Sequence, residues 1–458
     1  MKNIEAYFKK KFNLEINKNL NEISTNLNNS KSNQIIFYRI NDSSEDLFYS
    51  RLNQGNPGFI FVNKKLTKSI ASDYLVLNES ESEFDLIQKE LVDLVYPIES
   101  MPKIIGVTGT NGKTSVCYFG MQIANQYKIK SIAIGTIGVF GKVGKLRTEH
   151  VTTTPSYIEL RKILFENQPE LVWIEVSSHA LDQNRLKEIK LDFAGWTNLT
   201  QDHLDYHKDM KSYFEAKLKI LKTLNDVDNL LVCQTSTNLI SLLKENKISF
   251  SQVELIDRDF ENKFLNLDFN KNNISLAERL FFSIYPEKKF RKDINYNNLS
   301  EPPGRMNFLY KGPNSIVIVD YAHTPDAVEK ALLGIRKTFL NYIIKSVVGC
   351  GGDRDKSKRP LMSNTACSFS DKVYFTSDNP RSEKPMDILN DMTVDLKFTN
   401  FYIIEDRQKA IEKAFKELGD FEILLILGKG HEEYQEISGI KHPFSDTGII
   451  KKLINGDY

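Results

Sequence analysis

At 458 residues the chain is longer than one hydrophobic core usually serves, so two to four domains of ~100 to 200 residues are expected. Lysine and arginine number 61 against 60 acidic residues, a formal net charge of +1, so no overall field gathers nucleic acid or anionic lipid and any polyanion must be met locally. No window approaches the ~18 apolar residues of a membrane span, MKNIEAYFKKKF leads into polar sequence, and Cys117, Cys233, Cys350 and Cys367 show no paired spacing. These features predict a cytoplasmic protein with reduced thiols and with neither nucleic acid nor membrane as a partner.

Residues 35–62 alternate short apolar runs (IIFYRI, LFYS, GFIFV) with turn-forming Asn, Gly and Pro, the pattern of a small strand-rich unit that ends near YPIESMPK. From Lys103 onward KIIGVTG, SIAIGTIGV, ELVWIEVSS and LDFAGWTNL read as buried strands alternating with helical patterns such as VCYFGMQIANQ, which predicts a parallel sheet covered on both faces. After the EPPGR turn at 301–305, SIVIVDY, KSVVGCGG, KVYFTSD, FYIIED and EILLILGKG alternate with the amphipathic stretches DAVEKALLGIRK and RQKAIEKAFKEL. Doubly wound sheets collect ligands at the carboxyl ends of their strands, and those ends carry VDYAHTP, GCGGDRD, SDNPR and LGKGHE. The expected fold is α/β in three domains: a small α/β N-terminal domain over 1–100, a central P-loop-type parallel-sheet ATPase domain over 101–300, and a C-terminal Rossmann-like doubly wound domain over 301–458.

The stretch GVTGTNGKTS, 106–115, lies between an apolar strand and a helix, the setting of a phosphate cradle. The usual loop has a glycine five positions before Gly-Lys-Thr; Val107 stands there, with Gly106 and Gly109 to either side. Lys113 could reach β- and γ-phosphates and Thr114 could hold Mg²⁺ through its hydroxyl, the alternative being a structural glycine turn. By residue type alone Lys217 reads as a solvated lysine and His203 as a hydrogen-bonded structural histidine, since magnesium prefers oxygen.

The shifted loop, G-x-x-G-x-N-G-K-T, resembles that of the ATP-dependent Mur ligases and folylpolyglutamate synthetases. The resemblance continues in order through TTTP, EVSSHALDQNR, TNLTQDHLDYH, YFEAK, FNKNNISLA, PPGRM, VDYAHTPDA, GCGGDRDKSKRP, SDNPRSEKP and LGKGHEEYQ, and is similar to the branch that extends the UDP-N-acetylmuramoyl-dipeptide precursor of peptidoglycan by a third amino acid. It implies an ATP-dependent, ADP-forming ligase acting through an acyl phosphate, with ATP, UDP-MurNAc-L-Ala-D-Glu and meso-diaminopimelate as partners, Mg²⁺ as cofactor, and a monomer as the working form. It implies ATP contacts at Gly109, Thr110, Asn111, Gly112, Lys113, Thr114, Asn273, Arg305 and Asp320. Catalytic roles fall to Lys113, Lys217, Glu175 and His203, with Thr114, Glu175, His203 and a carbamylated Lys217 (N6-carboxylysine) serving the metal. The precursor falls to Ser50, Thr153, Thr154, Ser177, Gln183 and Arg185, for which helix capping and turn formation are the alternative at the threonines and Ser177.

Arg354, Asp378, Asn379, Arg381, Gly428 and Glu432 match the family's amino-acid pocket. DNPR, 378–381, resembles the diaminopimelate-accepting members, and a guanidinium suits a second carboxylate that lysine lacks, while Glu432 would receive the distal ammonium. Two departures stand in the N-terminal segment SRLNQGNPGFIFV and beside it: Tyr49 where Asp commonly precedes Ser-Arg, and Phe59 where Asp commonly follows Pro-Gly. Residues 222–268 look shortened, as though surface elements were lost. The competing readings are the lysine-adding homologue, a folylpolyglutamate synthetase-like ligase, and a nucleotide switch; only a ligase depends on an amino acid for phosphate release.

Overall fold

The computed structural model describes residues 2–16, 18–40, 45–68, 76–147, 152–288, 294–312 and 314–456, and the elements below are those of the described residues. The chain forms two compact units, Met1–Pro102 with Pro155–Pro169, and Lys103–Thr154 with Glu170–Tyr458.

The first unit carries four parallel strands in sequence order, β1 (Glu22–Ser24), β2 (Gln34–Tyr38), β3 (Phe59–Val62) and β4 (Val76–Asn78). Every residue of β2 and β3 is buried, as parallel strands covered on both faces require. LFYS belongs to helix Glu45–Leu52 rather than to a strand: Phe48 and Leu52, one turn apart, bury together, and Glu45 and Asp46 sit at the positive end of the helix. Helix Tyr157–Asn167, inside the range that the sequence assigns to the central domain, packs in this first unit. Its Arg161 donates to Asp93 at 2.7 Å and to the Tyr96 carbonyl at 3.0 Å, and its Lys162 pairs with Glu22 on β1.

The second unit contains two main sheets. The first is built of β5 (Lys103–Thr108), β6 (Ser131–Gly135), β7 (Gly138–Gly141), β8 (Gly144–Arg147), β9 (Leu171–Glu175), β10 (Phe193–Trp196), β11 (Leu230–Cys233) and β12 (Ser251–Val253). Its order is β12-β11-β10-β5-β9-β6-β7-β8, parallel from β12 to β6 and antiparallel beyond. The run SIAIGTIGV is thus a hairpin, β6 and β7, rather than one strand. The second sheet contains β13 (Asn307–Lys311), β14 (Ser315–Asp320), β15 (Ile343–Val348), β16 (Lys372–Phe375), β17 (Phe401–Ile403) and β18 (Glu422–Leu427) in the order β13-β14-β18-β15-β16-β17, with only β13 antiparallel. A two-stranded ribbon, β19 (Tyr434–Ile437) and β20 (Ile440–Pro443), follows β18. One apolar core runs from Ile105 and Trp173 in the first sheet to Ile318, Val348 and Leu425 in the second, which makes the two sheets one unit.

Candidate active site

The glycine turn after β5 opens directly onto helix Lys113–Gln126, so the first amides of the helix face the turn. Gly112 has φ 88°, and a Cβ there would lie 2.5 Å from Asn273 Oδ1, so glycine is required both by the backbone and by the close approach of Asn273. Lys113 Nζ donates to the Gly109 and Thr110 carbonyls, each at 2.8 Å, which curls its ammonium over the turn. Desolvation lowers its pKa, opposed by Glu175 and Asp202.

Glu175, at the buried end of β9, accepts the Thr114 hydroxyl at 2.9 Å and the Thr136 amide at 2.8 Å on Oε1, and the Thr136 hydroxyl at 3.1 Å on Oε2. Arg305 Nη2 approaches Thr114 Oγ1 at 3.4 Å, its guanidinium carbon 4.5 Å from the centre of the Tyr321 ring. Lys217 is fully enclosed; its Nζ donates to the Gly109 carbonyl at 2.9 Å over the Tyr213 ring. Burial, reinforced by the neighbouring charge of Lys113, holds this amine well below the ordinary lysine value. His203, at φ 55°, sets Nε2 3.3 Å from Asp202 Oδ2; burial lowers its pKa in spite of that carboxylate, so the ring is neutral. His179 packs edge-on to it at 4.9 Å.

On the far side of Glu175 its backbone carbonyl accepts the Thr154 hydroxyl at 2.8 Å. Thr154 in turn accepts the Ser177 amide at 3.0 Å, and its own carbonyl accepts Arg185 Nη1 at 3.0 Å, while Gln183 accepts Arg185 Nε at 2.9 Å. Thr153 accepts the Thr136 hydroxyl at 3.2 Å. Thr153, Thr154, Ser177, Gln183 and Arg185 therefore form one cluster that shares Glu175 and Thr136 with the phosphate turn. Ser177 also caps helix Ser178–Asp182 by accepting the Ala180 amide. Ser50 is exposed on helix Glu45–Leu52 of the first unit. Its neighbour Arg51 donates to the Tyr38 hydroxyl at 3.2 Å.

A cavity of about 470 Å³ adjoins the phosphate turn, lined among others by Asn111, Asn273, Arg305, Asp320, Asp326 and Phe269. Asp320, at the end of β14, accepts the Met306 and Ala322 amides at 2.6 and 2.8 Å, and burial raises its pKa. Its carboxylate is thus committed to shaping the 305–306 turn that delivers Arg305.

The carboxyl ends of β15, β16 and β18 bring a second group together. Asn379 donates to Glu432 Oε2 at 2.8 Å, and buried Lys429 reaches both Asn379 Oδ1 at 2.9 Å and Glu432 Oε2 at 2.8 Å. Gly428 has φ 115°, and a Cβ there would sit 2.5 Å from Asp378 Oδ2, so the strand end turns flush against Asp378. Arg381 Nη1 donates to the Gly352 carbonyl at 2.7 Å, with Nε 3.5 Å from Glu436 Oε2. Arg354 is largely exposed, 4.0 Å from Asp205. Lys429, Glu436, Asp202 and His179 escape the sequence reading; Lys429, Asp202 and His179 lie within quoted motifs, but nothing in the sequence marks them apart.

Residues 107–295 match the Mur ligase middle domain, and 304–430 match the Mur ligase, glutamate ligase domain. Over 433 residues the chain is 36% identical to a UDP-N-acetylmuramoyl-L-alanyl-D-glutamate--2,6-diaminopimelate ligase of Oceanobacillus iheyensis, covering 86% of each chain. The chain belongs to the Mur ligase family. A Mur ligase of the same name from Fusobacterium nucleatum is 36% identical over 426 residues, covering 86% of this chain and 85% of that one. A solved Mur ligase structure of that name superimposes with a TM-score of 0.55 at 25% identity, covering 98% of both chains.

Proposed function

We propose that this Mur ligase joins meso-diaminopimelate to UDP-N-acetylmuramoyl-L-alanyl-D-glutamate, using ATP to activate the glutamate carboxyl. The observation that carries the reading is the sharing of Glu175: its side chain faces the phosphate turn through Thr114, and its backbone carbonyl holds Thr154 of the Arg185 cluster. A nucleotide's terminal phosphate and a carboxylate bound by that cluster would meet beside it.

Two anions must approach for the carboxylate to take the phosphoryl group, so the site has to supply positive charge and hold the groups in line. Lys113 and Arg305 provide that charge at the turn, and Arg185 provides it on the acceptor side. The acyl phosphate formed is then attacked by the amine of the incoming amino acid, phosphate leaves, and the amide remains. Mg²⁺ fits the Thr114 hydroxyl and Glu175 carboxylate, which are hard oxygen donors; among the described residues no group of three His, Cys, Asp or Glu side chains could hold an ion, as suits a cation that keeps waters and phosphate oxygens as ligands. When bound, it would neutralise phosphate oxygens. His203 would serve the same ion through its neutral ring. Carbamylation of Lys217 is supported by its enclosure beside the turn, where CO₂ added to the neutral amine would leave an N-carboxylate and release a proton.

Asn111, Asn273, Arg305 and Asp320 line the cavity beside the turn, which supports its use by the nucleoside of ATP. Residues 1–100, with Ser50, would serve the uridine end of the precursor. No helix among the described residues is long and apolar enough to cross a membrane. The deciding experiment offers UDP-muramoyl-dipeptide, ATP and an equimolar mixture of diaminopimelate and lysine, and weighs the product by mass spectrometry. The diaminopimelate adduct is expected; equal incorporation of the two would overturn the assignment.

A further inference from the structure

His323 belongs to VDYAHTPDA, of which the reading above uses only Asp320. Its Nδ1 lies 2.8 Å from the Tyr321 carbonyl. A carbonyl can only accept, so Nδ1 carries the ring proton and Nε2 keeps a lone pair, which no donor among the described residues reaches. The Asp320 carboxylate fixes this corner from both ends: it holds the amide of Met306, which follows Arg305, and the amide of Ala322, which precedes His323. Tyr321 stands between them, its ring centre 4.5 Å from the Arg305 guanidinium carbon and 4.7 Å from the His323 ring. On its other side the ring of His431, next to Glu432, is 5.1 Å away. Arg305 in turn borders Thr114 of the phosphate turn. The corner therefore lies between the phosphate turn and the Asn379–Glu432 group, where an amine has to meet an acyl phosphate.

An incoming amino acid carries an ammonium, which has no lone pair with which to attack. In the course of the reaction its nitrogen bonds the acyl carbon, and the bond from that carbon to the phosphate oxygen breaks with its electron pair on phosphate. Two protons leave the nitrogen in all. One ends on the departing phosphate, and the other needs an acceptor on its way to solvent. Arg305 and Lys358 are cations and accept nothing, Asp202 is engaged by the amide and ring of His203, and His431 Nδ1 is enclosed. We infer that His323 is the base of the amide-forming step, its Nε2 accepting a proton of the attacking amine. Burial, and then the charge of Lys358, bring the pKa of the ring down to about 4 against the pull of Asp202, with Arg305 adding to the fall, so the ring is neutral and open as an acceptor. The same two cations favour an uncharged amine over an ammonium beside them. Bonding to the acyl carbon makes the nitrogen far more acidic than a free ammonium, which is what lets such a ring take its proton. The inference rests on the ligase reading above and adds a residue to it.

The test runs two reactions on each protein, both starting from ATP and UDP-muramoyl-dipeptide. In one, diaminopimelate is the nucleophile; in the other it is hydroxylamine, which is already uncharged at neutral pH and traps an acyl phosphate as the hydroxamate without a base. His323→Asn keeps a side-chain amide for the Tyr321 carbonyl and lacks Nε2. In this variant kcat with diaminopimelate is expected to fall by ~100-fold or more, while hydroxamate formation stays within about threefold of the parent. His323→Gln, which returns an acceptor near the place of Nε2 but cannot carry a proton away, is expected to be as slow with diaminopimelate as the first variant. Amide formation that persists in His323→Asn would overturn the inference, and so would its recovery in His323→Gln. A fall in both reactions together would overturn it too, since His323 would then serve phosphoryl transfer or the fold. The underlying reading fails separately: an unaltered enzyme that forms no hydroxamate is no such ligase, and one that adds only lysine leaves the same comparison to be made with lysine.

Discussion

Lys217 shows how far a residue's surroundings can depart from its type. A lysine in a charged helical stretch reads as solvated, yet here the amine is enclosed, 2.9 Å from the Gly109 carbonyl and within the field of Lys113. The charge of Lys113 disfavours a second ammonium beside the same glycine turn, and converting the Lys217 amine into an N-carboxylate would place there an anion that Lys113 attracts. Lys217→Ala should therefore abolish turnover while the protein still folds, and short carboxylic acids added to the variant should restore part of the rate by occupying the vacated space. Full turnover without added acid would refute the role. Around it, the residues legible in advance are those whose chemistry is written in a contiguous stretch, such as Lys113 and Thr114 in the turn. Glu436 and Asp202 were illegible because each gains meaning only from a neighbour that the fold supplies, Arg381 across 55 positions of sequence in the first case and the unusual backbone of His203 in the second.

At the level of elements, strands announced themselves better than the links that lock them together. The apolar runs of the second sheet are where periodicity places them, whereas LFYS turned out helical and SIAIGTIGV bent into a hairpin, because short apolar runs do not by themselves distinguish a helix turn, a straight strand or a reversed one. A lock of this kind joins the two loops that carry Arg354 and Arg381. Arg359, fully buried on helix Lys358–Phe369, grips Glu383 with two bonds, 3.0 and 2.8 Å, and Asp391 at 2.7 Å, while Glu383 also accepts the Asp353 amide at 2.7 Å. The Arg359 hydrogen bonds, with lesser help from the Asp353 amide, hold the Glu383 carboxyl down at about 2, against an ordinary 4.5. A depressed carboxylate stabilises the fold fully above its unfolded pKa and loses that contribution as pH falls through the folded value. Arg359→Met should cost about 1 to 3 kcal/mol in urea unfolding at neutral pH, since it removes the guanidinium that bridges two partly exposed carboxylates, one of which Lys356 still pairs. The difference between variant and parent should shrink between about pH 4.5 and pH 2. A pH-independent difference would mean that the loss is one of packing alone.

Across the whole second unit, two sheets share a single apolar core, and two of the polar contacts that cross between them, Asp326 with Asn111 and Arg305 with Thr114, lie at the phosphate turn. Composition and periodicity give each sheet separately but say nothing of that union, which depends on residues such as Leu267 and Ile335 that meet only after folding. Asp326, on helix Pro325–Thr338 of the second sheet, is the clearest crossing point. It accepts the Asn111 side-chain amide at 2.9 Å and the Thr200 hydroxyl at 3.4 Å, and Lys330 holds it from behind. Asn111 stands inside the turn that would carry the phosphates, so a helix belonging to one sheet orients the nucleotide loop of the other. Asp326→Ala should leave that amide unanchored and raise the KM for ATP by ~10-fold or more, the worth of one hydrogen bond to a charged group, while the KM for the amino acid moves by less than about twofold. Asp326→Asn keeps an acceptor for the Asn111 amide and should recover most of the loss, which separates anchoring from charge. Equal ATP affinity in all three proteins would show that Asp326 does not set the position of Asn111.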